Sequence, residues 1–384
     1  MLERLPVVAS LVALACSMAA GAAERARDLG VPFDGVPGPL NAITDVAGVT
    51  VGQVTLIEDL PDHRKVRTGV TAILPRGRDS LQTNAYAAWF ALNGNGEMTG
   101  TSWLDEGGQL EGPVLLTNTH SVGVVRDAVI QWRVQAGAAD ASGYYWSLPL
   151  VAETWDGELN DINGFHVKPE HVFRALDGAK SGPVDEGNVG GGTGMICHDF
   201  KCGIGTASRT ATTAGSTYTV GALVQANYGM RDTLRIAGVP VGTELPIAQD
   251  PPLRKDDSGS IIIVIATDAP LLPHQLKRLA KRAGMGLARM GSYAGNGSGD
   301  IFIAFSTANA AALRGGDKVE STSIGNDALN PLFLATVEAT EEAIVNAMVA
   351  ARDMVGNDGH SARALPHADL VRLLKKYGRY TPAH

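Results

Sequence analysis

Aromatic residues make up only 5% of this 384-residue sequence, cysteine occurs three times, and basic residues are outnumbered 40 to 32 by acidic ones. The formal charge of -8 excludes a nucleic-acid partner, because neutralising phosphates needs a basic surface. The densest basic run, Lys277, Arg278, Lys281 and Arg282, falls on one predicted helix face and reads as a solvated face. HExxH, a Walker loop and GxSxG are all absent, which removes the short-motif routes to zinc peptidase, nucleotide hydrolase and α/β-hydrolase chemistry. The nine histidines lack metal-ligand spacing, so neither a metal nor another cofactor is expected. Glycine, by contrast, occurs 46 times, a composition suited to tight turns and close backbone approaches.

Long apolar runs are also scarce, and the first is informative. Residues 5–20 (LPVVASLVALACSMAA) follow Arg4, carry no charge, and run into the small residues GAA at 21–23. That is the layout of a secretory leader, too short for a span of about 20 residues. Cleavage after Ala23 is expected, giving a periplasmic or secreted protein with no membrane association once the leader is removed. Cys197 and Cys202 then remain, flanking a hairpin tip. An oxidising compartment permits a disulfide between them, free thiols are equally compatible, and a metal role lacks a fourth ligand.

Strand and helix patterns alternate along the chain. Residues 43–57 read as strand, turn, strand, followed by strands near 68–75, 86–92 and 113–117. Helices are predicted over 121–136, 169–180 and 273–290, and over 328–354 with a break near Asn330-Pro331; 368–377 is a last one. GNVGGGTG at 187–194 precedes a strand rather than a helix, so it predicts a close backbone approach and not a phosphate cradle. The pattern is mixed α/β.

The chemically unusual point is Gly259-Ser260. A charged, proline-containing stretch at 249–259 (QDPPLRKDDSG) ends where a fully apolar strand, SIIIVIA at 260–266, begins. A serine there can attack the preceding carbonyl, and hydrolysis of the ester leaves Ser260 as a new chain start. Its α-amino group, with a reference pKa of about 7.7–8.0, can then serve as the base for its own hydroxyl. A conventional triad using His120, in TNTHS, is the competing arrangement.

Several segments carry a resemblance in one order: LNAITDVAGVTVGQVT (40–55), NGNGEMTGTSWLDEGG (93–108), TNTHSVGVVRDA (117–128) and LVAETWDGELNDING (150–164). GNVGGGTGM (187–195), ALVQANYG (222–229), GSIIIVIATDAPLLPHQLKRLA (259–280) and GSYAGNGSGDIFIAFST (291–307) complete it. Together they resemble the P1 (S58) family of self-processing peptidases, which includes L-aminopeptidase/D-amidase-esterases and β-aminopeptidases. The resemblance implies a four-layer αββα sandwich similar to N-terminal-nucleophile hydrolases, with distinct strand connectivity. It further implies a leader (1–23), an α-chain (24–259) and a β-chain (260–384), both chains building one domain.

Carried over by position, Ser260 matches the nucleophile and Gly259 the residue lost from its amino side. Ser298 matches a second serine beside the nucleophile, Asp300 an acid that orients it, and Asn227 an oxyanion donor. Glu153 matches the carboxylate that receives the substrate's ammonium. Trp155 departs from the pattern, standing where one aminopeptidase branch has a tyrosine near the reacting carbonyl. The implied substrates are small peptides, amino-acid amides or esters, and the implied assembly is a homo-oligomer of αβ units. An acyltransferase similar to ornithine acetyltransferases and a processing-dead binding protein are the alternatives; the former uses a threonine nucleophile.

Overall fold

A computed structural model describes residues 24–245, 256–314 and 317–382; the expected leader lies outside the described residues, as does much of the charged stretch before Asp256. In chain order the first half contains β1 (Thr50–Asp59), β2 (Lys65–Arg78), β3 (Ala85–Gly94), α1 (Thr101–Gly107), β4 (Gln109–Leu110) and β5 (Val114–Asn118). There follow α2 (Val122–Gln135), β6 (Leu150–Thr154), α3 (Pro169–Asp177), a short hairpin β7 (Ile196–Cys197) and β8 (Phe200–Lys201), then β9 (Ile204–Thr213) and β10 (Ser216–Asn227). The remainder comprises α4 (Val241–Glu244), β11 (Ser260–Thr267), α5 (Pro273–Arg289), β12 (Gly299–Ser306), α6 (Asn330–Val349), a hairpin of β13 (Met354–Val355) and β14 (Ser361–Ala362), and α7 (His367–Lys376).

These elements stack as four layers. A four-stranded sheet, order β1-β2-β5-β6, faces a six-stranded sheet, order β4-β3-β12-β11-β10-β9. Each sheet has one parallel pair, β5–β6 and β11–β12, and the chain crosses between its members through α2 and α5. A parallel pair needs such a crossover, which lays a helix on the sheet's outer face. One core fills the space between the sheets, a second lies under α5 and α6, and a third lies under α2 and α3.

Strand β11 shows why its sequence has no polar alternation. Ile261, Ile263 and Ile265 face the helix layer, while Ile262, Val264 and Ala266 face the opposite sheet. All six are 0% exposed, and full burial of an isoleucine contributes roughly 1.5–3 kcal/mol. The glycine run at 187–194 is a close approach, as predicted. A Cβ on Gly192 would lie 2.4 Å from the Ile204 nitrogen, and one on Gly190 would lie 2.2 Å from the Thr71 hydroxyl.

Two local expectations are corrected. Residues 43–45 form a 3₁₀ turn and not a strand, because Asp45 accepts from the Leu40 and Ala42 N–H groups and closes the chain on itself. Asn330-Pro331 begins α6 instead of breaking a longer helix. Proline costs nothing in the first turn, where its missing N–H has no intrahelical acceptor.

Candidate active site

Ser260 is the first residue of β11 and is 5% exposed. Its strand register fixes its neighbours. It lies opposite Asn227, the last residue of β10, and beside Gly299, the first residue of β12. The structure therefore brings Ser260, Asn227 and the Ser298–Asp300 segment to one end of three adjacent strands.

Ser298 donates to Asp300 Oδ1 at 2.8 Å, and both residues are buried. The other carboxylate oxygen, Oδ2, is buried with no hydrogen-bond partner among the described residues. Burial pushes the Asp300 carboxyl up to about 6; the Ser298 hydroxyl opposes that rise and the negative charge of Asp257 adds to it. A buried, half-satisfied carboxylate is costly, and such groups concentrate where chemistry is done.

The Asn227 side chain is fixed at both ends. Its Oδ1 accepts from the Ile196 N–H at 2.9 Å, and its Nδ2 donates to the Trp155 carbonyl at 2.7 Å. The first of these contacts comes from the β7–β8 hairpin, which Cys197 and Cys202 close as a disulfide. Of the pairing states the sequence left open, the structure has this one. Within the hairpin, the buried Lys201 Nζ donates to the Met195 carbonyl at 2.7 Å and the Cys202 carbonyl at 2.6 Å. Both cysteines are fully buried in the core that lies under α5 and α6.

Glu153 sits near the C-terminal end of β6, paired with Thr117 of β5. It is 3% exposed. Oε1 accepts from the Glu97 N–H at 2.9 Å and Oε2 accepts from the Thr119 hydroxyl. Burial raises its pKa, and these two donors offset only part of the rise. It forms no ion pair among the described residues. A Cβ placed on Gly96 would be 3.3 Å from Glu153 Oε1 and 3.4 Å from the Gly299 Cα, so only a glycine's width separates the carboxylate from the nucleophile's neighbour. Thr119, which bonds Glu153, went unremarked in the sequence; TNTHS drew attention to His120 instead.

His120 has a different place from the one a triad requires. It is exposed, its ring 5.7 Å from that of Trp155 and stacked on Phe165 at 6.2 Å, and no hydrogen bond joins it to Ser260 among the described residues. Trp155 is 37% exposed and forms part of this rim. Asp156, by contrast, is fully buried at the start of a turn, where it accepts from Asn160 Nδ2 at 3.0 Å.

A model of peptidase family S58 matches residues 41–362. The chain belongs to peptidase family S58. Among curated S58 relatives it is 55% identical over 391 residues to "Beta-peptidyl aminopeptidase BapA" of Sphingosinicella microcystinivorans, covering 96% of this chain and 98% of that protein. It is 47% identical over 387 residues to the protein of the same name from Sphingosinicella xenopeptidilytica, covering 97% and 96%. Among solved structures it is similar to the l-aminopeptidase d-ala-esterase/amidase of Ochrobactrum anthropi, described as a new variant among the Ntn hydrolase fold. The TM-score is 0.87 with 50% identity, over 93% of this chain and 99% of that one. A Burkholderia sp. beta-aminopeptidase matches with a TM-score of 0.84 and 49% identity, over 92% and 99%. The chain is thus an enzyme of the serine N-terminal-nucleophile aminopeptidase class, and its αββα sandwich is that of the fold variant.

Proposed function

We propose that this S58 member cuts its own chain between Gly259 and Ser260, and then uses Ser260 to cleave small peptides, amides or esters bearing a free amine. The observation that carries the proposal is Ser260's position: it opens a buried strand, opposite Asn227 and beside Gly299, at the junction with a polar approach segment. After the cut, the α-amine accepts the Ser260 proton while the hydroxyl oxygen attacks the substrate carbonyl. The Asn227 carboxamide, rigid because both ends are held, stabilises the oxyanion, a function worth roughly 2.7–4 kcal/mol where it has been measured. Asp300 holds Ser298 and offers its remaining oxygen to the new amine. Water then hydrolyses the acyl-enzyme.

Glu153 receives the substrate's ammonium. Three features support this: its burial, the lack of an ion-pair partner among the described residues, and its closeness to Gly299. The relatives' names include both β-peptidyl aminopeptidase and l-aminopeptidase d-ala-esterase/amidase, and β-amino-acid amides and α-amino-acid amides are the two substrate sets to compare. We further propose export by the 1–23 leader to the periplasm or medium, α- and β-chains of 24–259 and 260–384, and a homo-oligomer of αβ units. The disulfide supports an oxidising compartment. The anchoring of Arg25 on Glu186 and of Arg27 on Glu342 makes residues 25–27 part of the folded body, as a chain retained after the leader would be.

The deciding experiment is intact-mass measurement and N-terminal sequencing of purified protein. The expected result is two fragments, the smaller starting Ser-Ile-Ile-Ile, with Ser260→Ala leaving one inactive chain. A single uncut chain with full activity would overturn the proposal.

A further inference from the structure

The residues just before the scissile bond are held more tightly than a loop awaiting cleavage requires. Asp257, 7% exposed, accepts from the Gly229 N–H at 3.2 Å through Oδ1 and from the Gly295 N–H at 3.0 Å through Oδ2. Gly229 follows the end of β10 by two residues, and Gly295 leads into β12. One carboxylate therefore ties together the two strands between which β11 begins. The Gly259 carbonyl, whose carbon must be attacked, accepts from the Gly299 N–H at 3.1 Å.

The glycines of the 294–300 segment are shaped to this approach. A Cβ on Gly295 would sit 2.6 Å from the Asp257 Cβ, and one on Gly297 would sit 3.1 Å from the Ser258 Cα. The first distance is shorter than a packed side chain tolerates, and the second is tighter than most packed contacts. The segment that carries Ser298 and Asp300 is thus also a groove fitted to residues 257–258.

We propose that Asp257 is the positioning residue of self-cleavage, and that the Gly299 N–H is the oxyanion donor of that step. This rests on the reading that the chain cuts before Ser260. The Ser260 Oγ forms a bond to the Gly259 carbonyl carbon, the bond from that carbon to the Ser260 nitrogen breaks, and the hydroxyl proton ends on that nitrogen. Water then splits the ester, leaving a Gly259 carboxylate and a free Ser260 hydroxyl. Asp257 touches none of the reacting atoms. It fixes the two residues before them, so that negative charge developing on the Gly259 oxygen meets a donor already in place.

The test follows conversion of freshly synthesised full-length chain to two fragments over time, for wild type, Asp257→Ala, Asp257→Asn, Gly295→Ala and Ser260→Ala. Asp257→Ala is expected to slow conversion at least tenfold. Asp257→Asn, which keeps one acceptor oxygen, should fall between it and wild type. Gly295→Ala, which keeps the carboxylate but fills the groove, should also be slow. Near-UV circular dichroism and melting of each variant in the Ser260→Ala background report folding separately, and if Asp257→Ala does not fold, Asp257→Asn and Gly295→Ala decide. A merely structural role would slow conversion only in proportion to lost folded chain, whereas slow cutting in fully folded chain supports positioning. If wild type itself stays uncut, the self-processing reading fails. If wild type converts and the folded variants convert at its rate, the role of Asp257 is overturned while self-processing stands.

Discussion

Asn227 and Ser260 are paired residues at the open end of antiparallel strands β10 and β11, and the Asn227 carboxamide is bonded on both sides, to Ile196 and to Trp155. A donor fixed in this way costs no reorganisation when charge develops opposite it. Asn227→Ala should lower kcat by two to three powers of ten on an amino-acid p-nitroanilide, with a smaller change in KM. It also strands the buried Ile196 N–H and should lower Tm. Steady-state kinetics with a melting curve on the same sample check both.

The disulfide should be felt at the same asparagine. Replacing both Cys197 and Cys202 by alanine removes a short covalent loop, worth about 2 kcal/mol by chain entropy, and frees the hairpin that supplies the Ile196 N–H. The expected result is a lower Tm and a fall in kcat that exceeds any rise in KM. Unchanged kcat with a lower Tm would confine the disulfide to stability.

Asp300 should make self-cleavage pH-dependent. With its carboxyl at about 6, the anion that accepts from Ser298 is lost as pH falls through that value. Below it, the rate should drop about tenfold per pH step, as the anion fraction does. Asp300→Asn should be slow throughout and lack the inflection near 6, read by fragment appearance in buffers from pH 4.5 to 8.5.

The same group has the opposite effect on stability. A carboxyl raised from its ordinary 3.8 to about 6 holds a proton in the folded chain that the unfolded chain has released. Stability therefore falls as pH rises between those values, by roughly 3 kcal/mol at most. In the uncut Ser260→Ala background, Asp300→Asn should raise stability at pH 8, with the gain vanishing below about pH 4. Urea titrations at the two pH values measure it.

Glu153→Gln should depress cleavage of free-amine substrates by two to three powers of ten, because an ammonium entering the site loses its buried partner. N-acetylated substrates should be poor for wild type. Self-cleavage should survive, since no free amine lies beside that bond. Equal wild-type rates on free and acetylated p-nitroanilides would remove Glu153 from this role.

The mixed α/β class was legible because buried strands such as Ile261–Ala266 are apolar on both faces and helices alternate with them, whereas the four-layer order came from the resemblance. The junction alone did not single out Ser260, since a serine where polar chain meets buried strand is common; the resemblance pointed to it. The Asn227 bonds to Ile196 and Trp155 were not legible, since they join residues 31 and 72 positions apart. Thr119 and Asp257 escaped notice because a hydroxyl or carboxylate aimed at one buried group looks like any loop residue in sequence. Local turn chemistry at Asp45, and the harmlessness of Pro331 at a helix start, account for the boundary errors.

The sheet order has a consequence for the protein's history. The two strands that follow Ser260, β11 and β12, lie in the middle of the six-stranded sheet, with β10 and β3 on either side. An incision at Gly259-Ser260 would therefore remove no edge; each fragment would keep part of a core it cannot close alone. Before the cut, finding the partner strands is a search within one chain. Afterwards it becomes an encounter between two molecules, dependent on concentration. On the proposed self-cleavage, folding would come before scission. A sample cut as proposed and then fully unfolded would have lost the connection by which it first assembled, and recovery on dilution should reveal whether it has ever been cut.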